Sequence, residues 1–124
     1  MGYHHIDPDD IEPLPDRPSE ARSISNAADL SNVGVRRYRV EPGEQMPLKY
    51  HGHEEQEEVF YVLSGAISFE TPEETYRVES DEAFVVKPDH PHRGHVPEDA
   101  DEAAVVLALG APDVLDAFRY DANE

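Results

Sequence analysis

Cysteine is absent from the 124 residues, which removes disulfides, thiolate nucleophiles and the thiolate-ligated zinc and iron–sulfur centres together. Any bound metal must therefore be held by nitrogen and oxygen. Long apolar runs are missing too: no stretch approaches the roughly 20 residues a membrane-crossing helix needs, and residues 1–16 contain no apolar run flanked by positive charge. The chain is accordingly read as cytoplasmic, with no membrane partner. Basic residues are scarce, 10 against 28 acidic ones, for a formal net charge of −18. A field of that sign repels phosphate backbones and anionic lipid heads, so nucleic acid is not expected as a partner.

Apolar residues make up 38% of the chain, enough for one thin core and too many for wholesale disorder. The length accommodates one domain. Lysine occurs only at Lys49 and Lys87. This balance resembles proteins of salt-loving microbes, whose acidic surfaces stay hydrated in concentrated salt. Self-repulsion should then weaken the fold when screening is removed.

Residues 1–25 carry Pro8, Pro13, Pro15 and Pro18 among acids and read as an extended acidic arm, leaving 26–124 as the folded domain. His4 and His5 fall in that arm and are expected to be solvated. Asn26 is a candidate cap for one turn through Ala27, Ala28 and Asp29. From Val33 the signal becomes β: Val33–Glu41, Glu58–Leu63, Ala66–Glu70, Thr75–Val78, Ala83–Val86 and Ala103–Leu109 are strand-length runs. Pro42-Gly43, Ser64-Gly65, Pro72-Glu73, Ser80-Asp81 and Pro88-Asp89 punctuate them, at the spacing of an all-β sandwich or barrel. Ala111-Pro112-Asp113 is placed to start a closing helical turn that folds Val114, Leu115 and Phe118 back on the barrel.

Chemistry concentrates in two stretches. In the first, His51-Gly52-His53 is followed by Glu58 and the apolar run to Leu63. Two histidines at i and i+2 on an extended chain share a face, with Cα atoms about 7 Å apart, so both imidazoles can approach one ion. Glu58 shares its face with Phe60 and Val62, and a carboxylate opening the inward face of an apolar strand is costly unless a cation compensates it. Glu54, Glu55 and Glu57 are rivals for that role and read as a solvated acidic loop. The second stretch runs from Ala83 through Pro88-Asp89-His90-Pro91-His92-Arg93. Alternation does not choose between His90 and His92, while His95 has the opposite parity.

Together these stretches resemble the paired motifs of the cupin superfamily, over roughly Pro42 to Val96. Gly43, His51, His53, Glu58 and Gly65 fit the first motif and His92 fits the histidine of the second. The resemblance implies an all-β double-stranded β-helix, a jelly-roll-like barrel. It also implies one divalent transition metal, manganese, iron, nickel, zinc or copper, on His51, His53, Glu58 and His92. Such a set leaves coordination positions open to a small oxygenated ligand. Asp81 and Asp89 stand where the family usually has glycine, which puts the geometry of two turns in question. Tyr38, Phe60 and Arg93 are candidate pocket-lining residues. The expected activity is a metal-dependent dioxygenase, isomerase, decarboxylase or lyase. The alternative is a binding or sensing module without turnover. Val105, Leu107 and Leu109 alternate on a strand not wholly needed for the interior, so a homodimer is expected.

Overall fold

The structure, a computed structural model, describes residues 2–53, 55–113 and 117–119, with the backbone alone described for 47–53 and 117–119. Ten strands form within these bounds: β1 (Glu20–Ser23), β2 (Gly34–Val40), β3 (Gln45–His53), β4 (Glu57–Ser64), β5 (Ala66–Glu70), β6 (Thr75–Glu79), β7 (Ala83–Val86), β8 (His92–His95), β9 (Ala104–Ala111) and β10 (Ala117–Arg119). They pair antiparallel in two five-stranded sheets, ordered β1-β2-β9-β4-β7 and β10-β3-β8-β5-β6. The fold class is that expected, all-β with almost no helix.

Alternating side chains hold the two sheets together. Along β4, Phe60 and Val62 are buried while Val59, Tyr61 and Leu63 are exposed; along β9, Ala104 and Val106 are buried. Val40, Val62, Ile67, Phe69, Val96 and Val106 lose essentially all contact with solvent. Burial of each such side chain is worth about 1.5–3 kcal/mol relative to exposure. Phe69 lies at the centre of the core, stacked on Phe84 at 4.5 Å and tilted against Phe60 at 5.0 Å.

Two boundaries differ from the sequence reading. The stretch read as an arm contributes β1 to the first sheet, because Ala21 and Ser23 are small and alternate inward with Glu20 and Arg22 outward. The helical turn after it spans Ile24–Ala27 and is capped by Ser23, whose hydroxyl accepts from the Asn26 amide; Asn26 is not the cap. At the other end Phe118 stands in β10 opposite Gly52, where a closing helical turn was expected. Val114 and Leu115 lie outside the described residues. Sheet pairing satisfies the backbone there without a helix.

The outermost segment still covers part of the barrel. Asp7 caps a short 3-10 turn, Pro8–Asp10, by accepting from the Asp9 amide. Asp9 then accepts from Arg37 at 2.6 Å, while Arg22 donates to the carbonyls of Asp9 and Ile11. Arg22 and Arg37 are cross-strand partners, so the turn is fastened to the outer face of β1 and β2.

Candidate metal centre and barrel interior

β4 enters the barrel with Glu58, whose partners are Val86 on β7 and Gly110 on β9. The period of two that buries Phe60 and Val62 turns Glu58 the same way, and its side chain is only 13% exposed. β8 presents His92 from the facing sheet at 1% exposure. The two meet, with His92 Nε2 3.0 Å from Glu58 Oε1. Phe60 packs edge-on to the imidazole at 5.7 Å, holding the ring from the side.

The tautomer of His92 follows from its other nitrogen. Nδ1 lies 3.0 Å from the carbonyl of His90, and because a carbonyl only accepts, Nδ1 carries the proton. Nε2 is then the ring nitrogen turned toward the carboxylate, and a proton shared with it or a metal cation held by both accounts for an approach of 3.0 Å. A metal-bound histidine shows the same wiring, one ring nitrogen donating to a carbonyl and the other turned to the ion.

The register brings His51 of β3 directly opposite His92, and His53 opposite Ala117. The side chains of His51 and His53 lie outside those described, so two of the four expected ligands are placed by backbone alone. Among the described residues, no group of three or more His, Asp or Glu gathers to hold an ion. Glu55 and Glu57 are exposed, and Glu54 lies outside the described residues.

The two turns in which aspartate replaces the expected glycine keep a glycine-like backbone. Asp81 has φ 67° and Asp89 φ 65°, both left-handed, a region that aspartate tolerates better than most residues. Each turn therefore delivers its strand. The Asp81 amide donates to Val62, and Asp89 leads to His90 and His92.

The other candidates scatter by face. Phe60 is in the core beside His92, and Tyr38 packs against the core from β2. Arg93 is turned away from His92, since neighbours on a strand face opposite sides; it pairs with Glu70 at 2.8 Å on the outer face of the second sheet. His95 joins it there, 3.4 Å from the other Glu70 oxygen. His90 remains on an exposed loop, its Nδ1 donating to the Pro88 carbonyl at 2.7 Å.

A cavity of about 740 Å³ runs along the β6 and β7 edges to His92, walled by Tyr76, Phe84, Val86, Lys87 and His90 among others. Glu74, hydrogen-bonded to the Tyr76 hydroxyl, holds that phenol above its ordinary pKa and so protonated.

One inward residue escaped the sequence reading. Arg36 shares the face of Tyr38 and Val40, and its cross-strand partners are the buried Ser23 and the core-packed Ala108. Its guanidinium donates to the Tyr38 hydroxyl at 3.4 Å. The signal was present, because the alternation that selected Tyr38 carries two residues back to Arg36.

A family profile for the cupin domain matches residues 36–109. No curated protein matches the chain significantly. Among solved structures, a sugar phosphate isomerase of cupin type from Silicibacter pomeroyi is 24% identical over 95% of this chain and 82% of its own, with a TM-score of 0.80. The polyketide cyclase RemF from Streptomyces resistomycificus is 16% identical over 96% of this chain and 86% of its own, also with a TM-score of 0.80. A provisionally assigned sugar phosphate isomerase from Acidithiobacillus ferrooxidans is 24% identical over 75% of this chain, with a TM-score of 0.67. This chain covers only 58% of that protein's length. At such identities the likeness is one of fold.

Proposed function

The chain belongs to the cupin family, and on that premise we propose that it is a cytoplasmic metal-dependent cupin acting on a small oxygenated metabolite inside its barrel. His51, His53, Glu58 and His92 would hold one divalent transition ion, manganese, iron, nickel, zinc or copper. The reading rests on one contact: the protonated Nδ1 of His92 is committed to the His90 carbonyl, which leaves Nε2 facing the Glu58 carboxylate at 3.0 Å. A cation fits between such donors. His51 stands across from His92 in register, which supports a second nitrogen ligand, from β3.

When bound, the ion supplies Lewis-acid polarisation of a ligand oxygen. The chain's own residues do the rest. The His90 carbonyl and the edge of Phe60 fix the His92 ring, and Glu58 contributes negative charge in an apolar wall. His90, on the cavity wall with Tyr76 and Lys87, is a group able to move a proton to or from a ligand there. Isomerase and cyclase activities among proteins of this fold support small-molecule chemistry here, as enzyme or as binding module.

Elemental analysis of protein purified without chelator or nickel resin tests the reading. About one transition ion per chain is expected in the wild type, and a His51→Ala/His92→Ala double variant should hold none. A folded wild type free of transition metal would overturn it.

The proposal extends to a homodimer. Val59, Tyr61, Leu63 and Val85 are exposed on the outer face of the first sheet, and Val105, Leu107 and Leu109 adjoin them through cross-strand pairing. This patch has no charged side chain at its centre. In a chain of net charge −18 it is where two copies can approach with least repulsion.

A further inference from the structure

We infer that the ligand of the barrel is an aromatic acid, whose flat ring lies against Tyr76 and Phe84 and whose carboxylate meets Lys87. The inference rests on the reading that a small molecule occupies the barrel, and it names the class of that molecule.

β6 and β7 are end strands of different sheets. The turn between them is tied to β4, where the Asp81 amide donates to the Val62 carbonyl and the Val62 amide to that of Glu82. Toward their other ends the two strands border the cavity of about 740 Å³, with the β5–β6 hairpin tip on one side and residues 87–91 on the other. Val86 is the register partner of Glu58, and Val86 and His92 both line the cavity, so its inner end lies beside the Glu58–His92 pair. A cavity of that volume suits a ring-containing molecule, and an acid of a few carbons would leave most of it to water.

The walls choose the body of the ligand. Pro72, Phe84, Val86 and Pro91 present apolar surface, and Tyr76, which shares the face of the buried Val78, is still 40% exposed. Phe84 stacks on Phe69 at 4.5 Å, and Tyr76 tilts against Phe84 at 5.3 Å. Both rings are thus fixed by packing, and an aromatic ligand gains from them beyond the area it buries.

Side-chain hydrogen-bonding capacity is scarce by comparison. The Thr71 hydroxyl is committed to the Glu74 carbonyl, the Tyr76 hydroxyl to the Glu74 carboxylate, and Nδ1 of His92 to the His90 carbonyl. Beside the Glu58–His92 pair, this leaves Glu73, Lys87 and Nε2 of His90, whose Nδ1 donates to Pro88. A sugar phosphate would bring several hydroxyls and a doubly charged group to a wall with a single ammonium, and most of its polar atoms would lose water without gaining a partner. A carboxylate needs one cation. Lys87 is one of two lysines in a chain with 28 acids, and among the described residues it forms no ion pair.

Calorimetric titration of the full-length protein at fixed ionic strength with cinnamate, neutral cinnamamide and glucose 6-phosphate tests the inference. Cinnamate should bind saturably, and more tightly than glucose 6-phosphate. Cinnamamide, which keeps the ring and loses the charge, should bind about fivefold more weakly than cinnamate. Lys87→Gln should weaken cinnamate by the same factor and leave cinnamamide unchanged, so that removing the charge from either side has one effect. Tyr76→Leu should weaken both ring ligands about fivefold, and Arg39→Gln, which does not line the cavity, should match the wild type. Circular dichroism checks that each variant is folded. Metal content measured on the same samples keeps the two readings apart. Cinnamate binding with this dependence by a wild type without metal supports the inference and removes the metal reading alone, whereas a fully metallated wild type that ignores cinnamate does the reverse. Tighter binding of glucose 6-phosphate than of cinnamate, or a folded Lys87→Gln in which cinnamate keeps its advantage over cinnamamide, also overturns the inference.

Discussion

Asp81 and Asp89 hold left-handed turns where glycine would carry no steric cost, and the strain is local enough to measure. Replacing Asp89 by alanine keeps the strain and removes aspartate's tolerance of it. Asp89→Ala should lose about 1 kcal/mol, while Asp89→Gly should lose nothing. Thermal denaturation would separate them by about 4 °C; an equal fall in both would mean that the aspartate side chain matters more than the backbone angle. Gly65 is the stricter case. At φ 74° it also approaches β9 so closely that a Cβ would lie 2.4 Å from the Ala103 carbonyl oxygen. Gly65→Ala should cost roughly 3 kcal/mol, seen as a shifted denaturant midpoint. Glu58 and Gly65 were legible at this scale because each breaks a local pattern, one a charge in an apolar strand and the other a turn between two apolar runs. Arg93, a candidate for the pocket lining, instead pairs with Glu70 on the outer face, because a strand sends adjacent residues to opposite sides and His92 takes the inward one.

Elements differ in how much of their reason for existing is local. β4, β5, β7 and β9 are rich in β-branched and aromatic residues and fall where the sequence puts them, within two residues at each end. β3 and β8 do not: Pro47, Lys49 and Gly52 interrupt one, and the other is the four residues His92–His95. They are strands because they pair with each other and because β8 also pairs with β5. β1 is held likewise, by β2 and by the turn fastened through Asp9. The hydrogen bond from Arg37, aided by its charge, holds the Asp9 carboxyl below its ordinary pKa. A folded pKa below the unfolded one means that the contact contributes fully above the ordinary carboxylate range. The contribution is lost as pH falls through the lowered value. Amide exchange in residues 7–11 should therefore speed up at acid pH, and Arg37→Gln should give that fast exchange already at neutral pH. Exchange in Arg37→Gln identical to the wild type at pH 7 would mean the turn is held by Arg22 alone.

For the whole molecule, a charge of −18 on 124 residues makes the surroundings part of the structure. Salt screens repulsion between exposed carboxylates, so the melting temperature should climb between about 0.1 and 2 M salt. A flat or falling curve would argue against a halophilic origin. Screening also favours the homodimer, and sedimentation at high salt should give twice the chain mass. Tyr61→Glu, which plants a charge in the apolar face, should give the monomer. A wild type that sediments as a monomer under the same conditions contradicts the dimer.

The sequence by itself determined the all-β class, the turns and the identity of the candidate ligands, because alternation, glycine geometry and donor chemistry are properties of short segments. Tertiary structure alone decided that Glu58 meets His92 and that His51 stands across from His92. Those facts depend on which strands become neighbours and in what register, and register is set by the packing of two whole sheets, not by any segment read alone.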